Sequence, residues 1–174
     1  RFTCYHRRSY VCKTGVGDVL IGAAASIADY NGVPNVSHIK DKLVEMTHLN
    51  ESIYGTGIAS SYQSQKMKSG VWQNDEMLAN VCKHNVTRFP YQIGRFAQDI
   101  AGGLMVTLPS EAEFRSPETG PLLKKYLKGR KGVDVENKMR ILRLIENMTM
   151  GRNAVGYLTE SMHGAGSPQA QRIQ

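Results

Sequence analysis

The spacing of the apolar residues restricts this chain more than any other feature, because it recurs at the helical period and almost nowhere alternates as a strand would. Val16, Val19, Leu20, Ala23, Ala24 and Ile27 predict a helix over 15–31, stopped by Asn31-Gly32 with Pro34 just beyond. Val36, Ile39, Leu43, Met46, Leu49 or Asn50, and Ile53 predict a second over 35–62. Gly55, Gly57 and Ala59 near its far end would admit a close neighbour or a flat cofactor. A third helix is expected over 75–100, starting near Asp75, running through Leu78 and Val81, and kinked or ended at Pro90. Its pattern resumes at Ile93, Phe96, Ala97 and Ile100 and stops at Gly102-Gly103. The stretch 104–108 reads as extended, and 117–128 as a short basic helix or loop. Asp134 should cap a last long helix over 134–163, with Val135, Met139, Leu142 and Ile145 or Glu146 on its inner face. Four or five helices with short connections make an all-α antiparallel helical bundle, a single domain over 1–174.

At 174 residues the chain can bury one core without staples. The apolar residues look too dispersed for a span of about 20 residues, and the opening residues do not read as a charged-then-apolar leader, so neither a membrane nor secretion is expected. Arg1 stands directly before a motif-dense stretch, which suggests a piece of a longer polypeptide. The net charge of +7 invites a nucleic-acid reading. Its densest part, 124–131, is broken by glycine, and no aromatic ladder alternates with it, so nucleic acid is not an expected partner. Such basicity equally suits an anionic coenzyme or an acidic neighbouring domain. Three cysteines without a disulfide spacing point to a reducing, cytoplasmic compartment.

Several short patterns could carry chemistry. Gly15-Val16-Gly17 lacks the spacing and the preceding strand of a dinucleotide fingerprint. Cys82-Lys83-His84 reads as a buried structural cysteine beside an exposed histidine. The run Cys4-Tyr5-His6-Arg7-Arg8-Ser9-Tyr10-Val11-Cys12-Lys13 is denser, with two thiols, an imidazole, two phenols and three cations in ten positions. Thiolate and imidazole are ligands of zinc and iron–sulfur sites, and nearby cations favour the thiolate. The same run also suits a terminus with one buried cysteine. Glu160 and His163 are spaced to share a helix face before Gly164 and Gly166. Gln98, followed by Gly102-Gly103 at a helix end, could offer backbone donors to a pyrophosphate.

Taken together, these segments resemble the 4-hydroxybutyryl-CoA dehydratases. That family shares the acyl-CoA dehydrogenase fold with the large component of 4-hydroxyphenylacetate 3-hydroxylase. The resemblance covers nearly the whole chain. It is carried by Tyr5-His6-Arg7, Ala28-Asp29-Tyr30-Asn31-Gly32, Lys40-Asp41-Lys42-Leu43 and 45–51, and by Asn85-Val86-Thr87-Arg88-Phe89-Pro90-Tyr91, 98–110 and 159–172. The stretch 98–110 is common to the hydroxylases, whereas His6, Cys12 and 159–172 favour the dehydratases.

The resemblance implies FAD and a [4Fe–4S] cluster, with His6 and Cys12 as metal ligands. It places Tyr10 and Lys13 beside the substrate, Glu160 near the cluster, and Gln98, Gly102 and Gly103 against FAD. The other cluster cysteines would precede this segment; Cys4 and Cys82 are not their counterparts. The family places two glycines between the tyrosine and cysteine of this motif. Here Val11 alone separates Tyr10 from Cys12, which shortens the loop from His6 by one residue. The implied reaction converts 4-hydroxybutyryl-CoA to crotonyl-CoA and water, with vinylacetyl-CoA isomerisation alongside. The flavin would give a radical route to an unactivated β-proton, with His6 as base and the cluster as Lewis acid on the leaving hydroxyl. The implied assembly is a homotetramer acting on an acyl-CoA. Two alternatives are a flavin-dependent aromatic hydroxylase without a cluster and a non-catalytic helical assembly domain.

Overall fold

The structure, a computed structural model, describes residues 9–166 together with Gln169 and Arg172. Cys4 and His6 lie outside the described residues. Three long helices, α1 (Ser9–Tyr30), α2 (Ser37–Tyr62) and α3 (Glu76–Ala101), pack on one another. A two-stranded antiparallel hairpin, β1 (Gln65–Lys66) and β2 (Trp72–Gln73), joins α2 to α3. After α3 come a 3-10 turn (Gly103–Thr107) and the short helices α4 (Glu111–Arg115) and α5 (Gly120–Tyr126). Then α6 (Val135–Thr149) returns across α1 and α3, and a second 3-10 turn (Arg152–Gly156) leads into α7 (Thr159–Ala165).

The expected all-α bundle is therefore what forms. Its core collects Leu20, Ala24 and Ile27 from α1, Met46 from α2, Ile93 and Ala97 from α3, and Leu142 and Ile145 from α6, all fully buried. Each large aliphatic side chain in such a position stabilises by about 1.5–3 kcal/mol. The caps fall where the sequence placed them: Asp75 accepts from the Leu78 N–H at 2.7 Å and Asp134 from the Glu136 N–H at 2.8 Å.

Several expectations need correction. Helix α1 reaches back to Ser9 rather than starting near 15, so Tyr10, Cys12 and Lys13 are helical. Val19, one of the residues whose spacing predicts this helix, is 51% exposed. Over Tyr10–Tyr30 this helix is long and apolar enough, with hydropathy 1.4, to cross a membrane by composition alone. Its three charged residues had broken the run in the sequence. Leu20, Ala24 and Ile27 bury it in the bundle as a core helix would be.

Helix α3 runs unbroken through Pro90, which is fully buried. A proline inside a helix costs about 3 kcal/mol, and here burial on both sides of Pro90, with α3 packed on α1 and α2, offsets it. Residues 103–107 form a 3-10 turn rather than an extended segment, because Met105 turns into the core. The last long helix ends at Thr149. Met150 is extended and Gly151 adopts φ +63°, a conformation open to glycine, so the chain turns before α7. His84 is half-buried rather than exposed, and Lys83 beside it is buried.

Candidate functional site

Tyr10, Lys13, Thr14 and Gly17 recur at three- and four-residue steps, which puts them on one face of α1, and all four are buried. Lys13 is only 3% exposed. Its Nζ donates to the Gly156 carbonyl at 2.6 Å and forms an ion pair with the Glu160 carboxylate. Both partners come from the far end of the chain, where the turn at Gly151 redirects it. An ammonium at this depth is tolerable only with such partners. Glu160, in the first turn of α7, is 53% exposed, so the pair spans from the interior to the surface.

The Tyr10 ring lies in a small cluster with Ile53, Cys82, Val86 and Ala165, and is tilted against Tyr54 at a centroid distance of 6.4 Å. Cys12 is exposed. Cys82 is buried and its thiol approaches the Ile53 carbonyl at 3.4 Å, a structural placement. Among the described residues no group of three or more His, Cys, Asp or Glu side chains could hold a metal ion. The exposed Cys12 thiol is open to an approaching group. The described part alone does not fit a complete cluster.

The second set assembles around the C-terminal end of α3. Gln98, Gly102 and Gly103 line an open groove of about 450 Å³ with Arg95, Asp99 and Met105. Gly102 ends the helix at φ +79°, which favours glycine, and its N–H bonds the Gln98 carbonyl at 2.9 Å. A side chain at Gly103 would meet nothing within 4 Å, so the backbone there is open to an approaching group. The Asp99 carboxylate is paired with Lys42 at 2.7 Å, leaving Arg95 as the cation of the lining. An open backbone beside a cation fits an anionic, flat cofactor such as FAD. The Gln98 amide nitrogen donates to the Thr149 carbonyl at 3.2 Å. Gln98 therefore also fastens the end of α6 to the groove, a role its sequence context did not suggest.

The sequence-predicted residues therefore fall into two described groups, one with Tyr10, Lys13 and Glu160 and one with Gln98, Gly102 and Gly103. His163 is exposed in the last turn of α7 and does not enter the Lys13 pair. Asn50 and Tyr157 were not singled out as site residues. The Asn50 amide donates to the Thr14 carbonyl at 3.1 Å and to Asp18 at 2.8 Å, tying α2 to the site face of α1. The Tyr157 hydroxyl is buried without a hydrogen-bond partner among the described residues. Burial first, then the Asp18 carboxylate, raises its pKa above the ordinary phenol value. The predicted continuous helix over 134–163 concealed Tyr157, because its place depends on the break at Gly151.

The family model for the 4-hydroxyphenylacetate 3-hydroxylase C-terminal region matches residues 1–174. The chain belongs to this HpaB family. The chain is similar to a Clostridium aminobutyricum protein named 4-hydroxybutyryl-CoA dehydratase/vinylacetyl-CoA-Delta-isomerase. It is 58% identical over 182 aligned residues, covering 99% of this chain and 37% of that protein. A solved structure described as an oxygen-tolerant archaeal 4-hydroxybutyryl-CoA dehydratase from N. maritimus superposes with TM-score 0.95 at 85% identity. It covers 100% of this chain and 35% of that one. The HpaB oxygenase component of 4-hydroxyphenylacetate 3-monooxygenase, solved with FAD and 4-hydroxyphenylacetate, superposes with TM-score 0.85 over 97% of this chain and 35% of its own. Its 23% identity shows the shared fold alone. This HpaB-family chain spans little more than a third of the length of these relatives.

Proposed function

We propose that residues 1–174 form the C-terminal helical domain of a longer 4-hydroxybutyryl-CoA dehydratase, which also isomerises vinylacetyl-CoA. The observation that carries this reading is the 85% identity, over the entire chain, to a solved dehydratase. The hydroxylases share the fold at 23% identity. The acyl-CoA is the substrate, the assembly a homotetramer, and the compartment cytoplasmic, with neither nucleic acid nor membrane as a partner.

In this reading Gln98, Gly102 and Gly103 hold FAD, while His6 and Cys12 are two ligands of a [4Fe–4S] cluster. When bound, the flavin supplies one-electron chemistry and the cluster a Lewis-acidic iron. The chain's own residues position and exchange protons. Lys13, fixed by Gly156 and Glu160, presents an ammonium that cannot swing into solvent. Such a preorganised donor suits an oxygen that gains negative charge as the reaction proceeds. Glu160 retains a solvent-facing side and can hold a water beside that ammonium. Tyr10, one turn earlier on the same face, offers a phenol to substrate, and His6 is the base for the β-proton.

The test is Cys12→Ser in the longer polypeptide, with iron content and crotonyl-CoA formation measured together under anaerobic conditions. Both should fall in this variant and persist in Cys82→Ser. Retention of iron and turnover in Cys12→Ser would remove Cys12 from the ligand set.

A further inference from the structure

Helices α1 and α2 meet through two reciprocal glycine seats. A methyl group at Gly57 would stand 2.5 Å from Cγ of Tyr10 and 2.6 and 2.7 Å from its two Cδ atoms. A methyl group at Gly17 would collide with the Asn50 amide. Tyr10 and Gly17 lie seven residues apart on α1, as do Asn50 and Gly57 on α2, so each helix contributes one large group and one seat. Lys13 lies between the two seats, on the same face of α1. Gly55, two residues from Gly57, differs: it is exposed, and an added methyl group would meet nothing within 4 Å. A glycine inside a helix costs about 1 kcal/mol relative to alanine. At Gly57 the tyrosine ring accounts for that cost.

We propose that Gly57 is a positioning residue of the site: by lacking a side chain it sets the depth of the Tyr10 ring, and with it the placement of Tyr10 and Lys13 toward the substrate. This rests on the dehydratase reading above. Ordinary van der Waals contact begins at 3.4 Å, so a methyl group 2.5 Å from the ring displaces it by about 1 Å. A misplacement of about 1 Å can cost a hundredfold in rate.

The experiment compares Gly57→Ala with Gly55→Ala in the longer, cofactor-loaded polypeptide. It records kcat and KM for 4-hydroxybutyryl-CoA, thermal midpoint and the near-ultraviolet tyrosine circular dichroism. Gly57→Ala should lower kcat at least about tenfold, change KM far less and alter the tyrosine signal, while Gly55→Ala leaves kcat, KM and the tyrosine signal unchanged. A Gly57→Ala enzyme with kcat within twofold of Gly55→Ala overturns the proposal. If Gly57→Ala does not fold, Tyr10→Leu/Gly57→Ala takes its place, since removing the ring relieves the collision. That double variant should fold and stay at least about tenfold below wild type; wild-type kcat in it would equally overturn the proposal. A wild-type protein that forms no crotonyl-CoA instead sinks the dehydratase reading itself, an outcome distinct from the other two.

Discussion

Replacing Glu160 by glutamine should destabilise the chain more than replacing its partner Lys13 by methionine. In Glu160→Gln the ammonium stays 3% exposed, with the Gly156 carbonyl as its remaining described partner. Orphaning a fully buried charge costs about 3–5 kcal/mol, whereas exposed pairs contribute about 0–1 kcal/mol. Glu160 is 53% exposed, so the pair lies between these limits and the loss should be about 2 kcal/mol. Lys13→Met removes the charge and keeps an unbranched apolar stem. Glu160 can then hydrate, and the Gly156 carbonyl loses one donor, a cost of about 1 kcal/mol. For a domain of this length, about 1 kcal/mol moves Tm by roughly 2–4 °C. Thermal melts followed by circular dichroism should therefore place Glu160→Gln about 4–8 °C below wild type and Lys13→Met about 2–4 °C below. The double variant should match Lys13→Met. If Lys13→Met were the less stable single variant, the argument from an uncompensated buried charge would be wrong.

Three further outcomes follow from the same structure. Gly151→Ala forces a side chain into φ +63° and should cost about 1–3 kcal/mol, read as a lower denaturation midpoint at unchanged slope. His84 has its pKa lowered from 6.5 by burial, then by Arg88 and Arg172. A depressed folded-state pKa gives stability that is present above the unfolded value and lost as pH falls through the folded one. Melts of His84→Gln should therefore show a shallower decline below about pH 6.5 than wild type, and an identical decline would discount the residue. The chain of 1–174 on its own should take up no cubane cluster on anaerobic reconstitution, because only His6 and Cys12 match ligand positions; uptake of about four irons would contradict this.

Much of the bundle was legible because long helices carry many repeats of one period and end at glycine, proline or a capping aspartate. Asp75, Asp134 and Gly102 each marked an end locally. The misreadings arise where tertiary packing overrides a local rule. Pro90 is carried through by burial of both flanks, and Met105 draws 103–107 into a turn. The break at Gly151 lay inside a pattern that continued on either side of it. In the site, Lys13 and Glu160 were singled out by resemblance, yet their pairing is a contact between residues at opposite ends of the chain. Spacing along one helix cannot reveal such a contact. The seat that Gly57 makes for Tyr10 was foreshadowed only as a small residue able to admit a close neighbour.

The central claim is dehydratase chemistry on a hydroxylase-related fold, and one anaerobic assay tests it most directly. The longer polypeptide, loaded with FAD and an iron–sulfur cluster, is given 4-hydroxybutyryl-CoA, and its coenzyme A esters are separated chromatographically. A parallel sample receives 4-hydroxyphenylacetate with reduced flavin and oxygen. The account predicts crotonyl-CoA in the first sample and no hydroxylated phenol in the second. A hydroxylated phenol without crotonyl-CoA would contradict it.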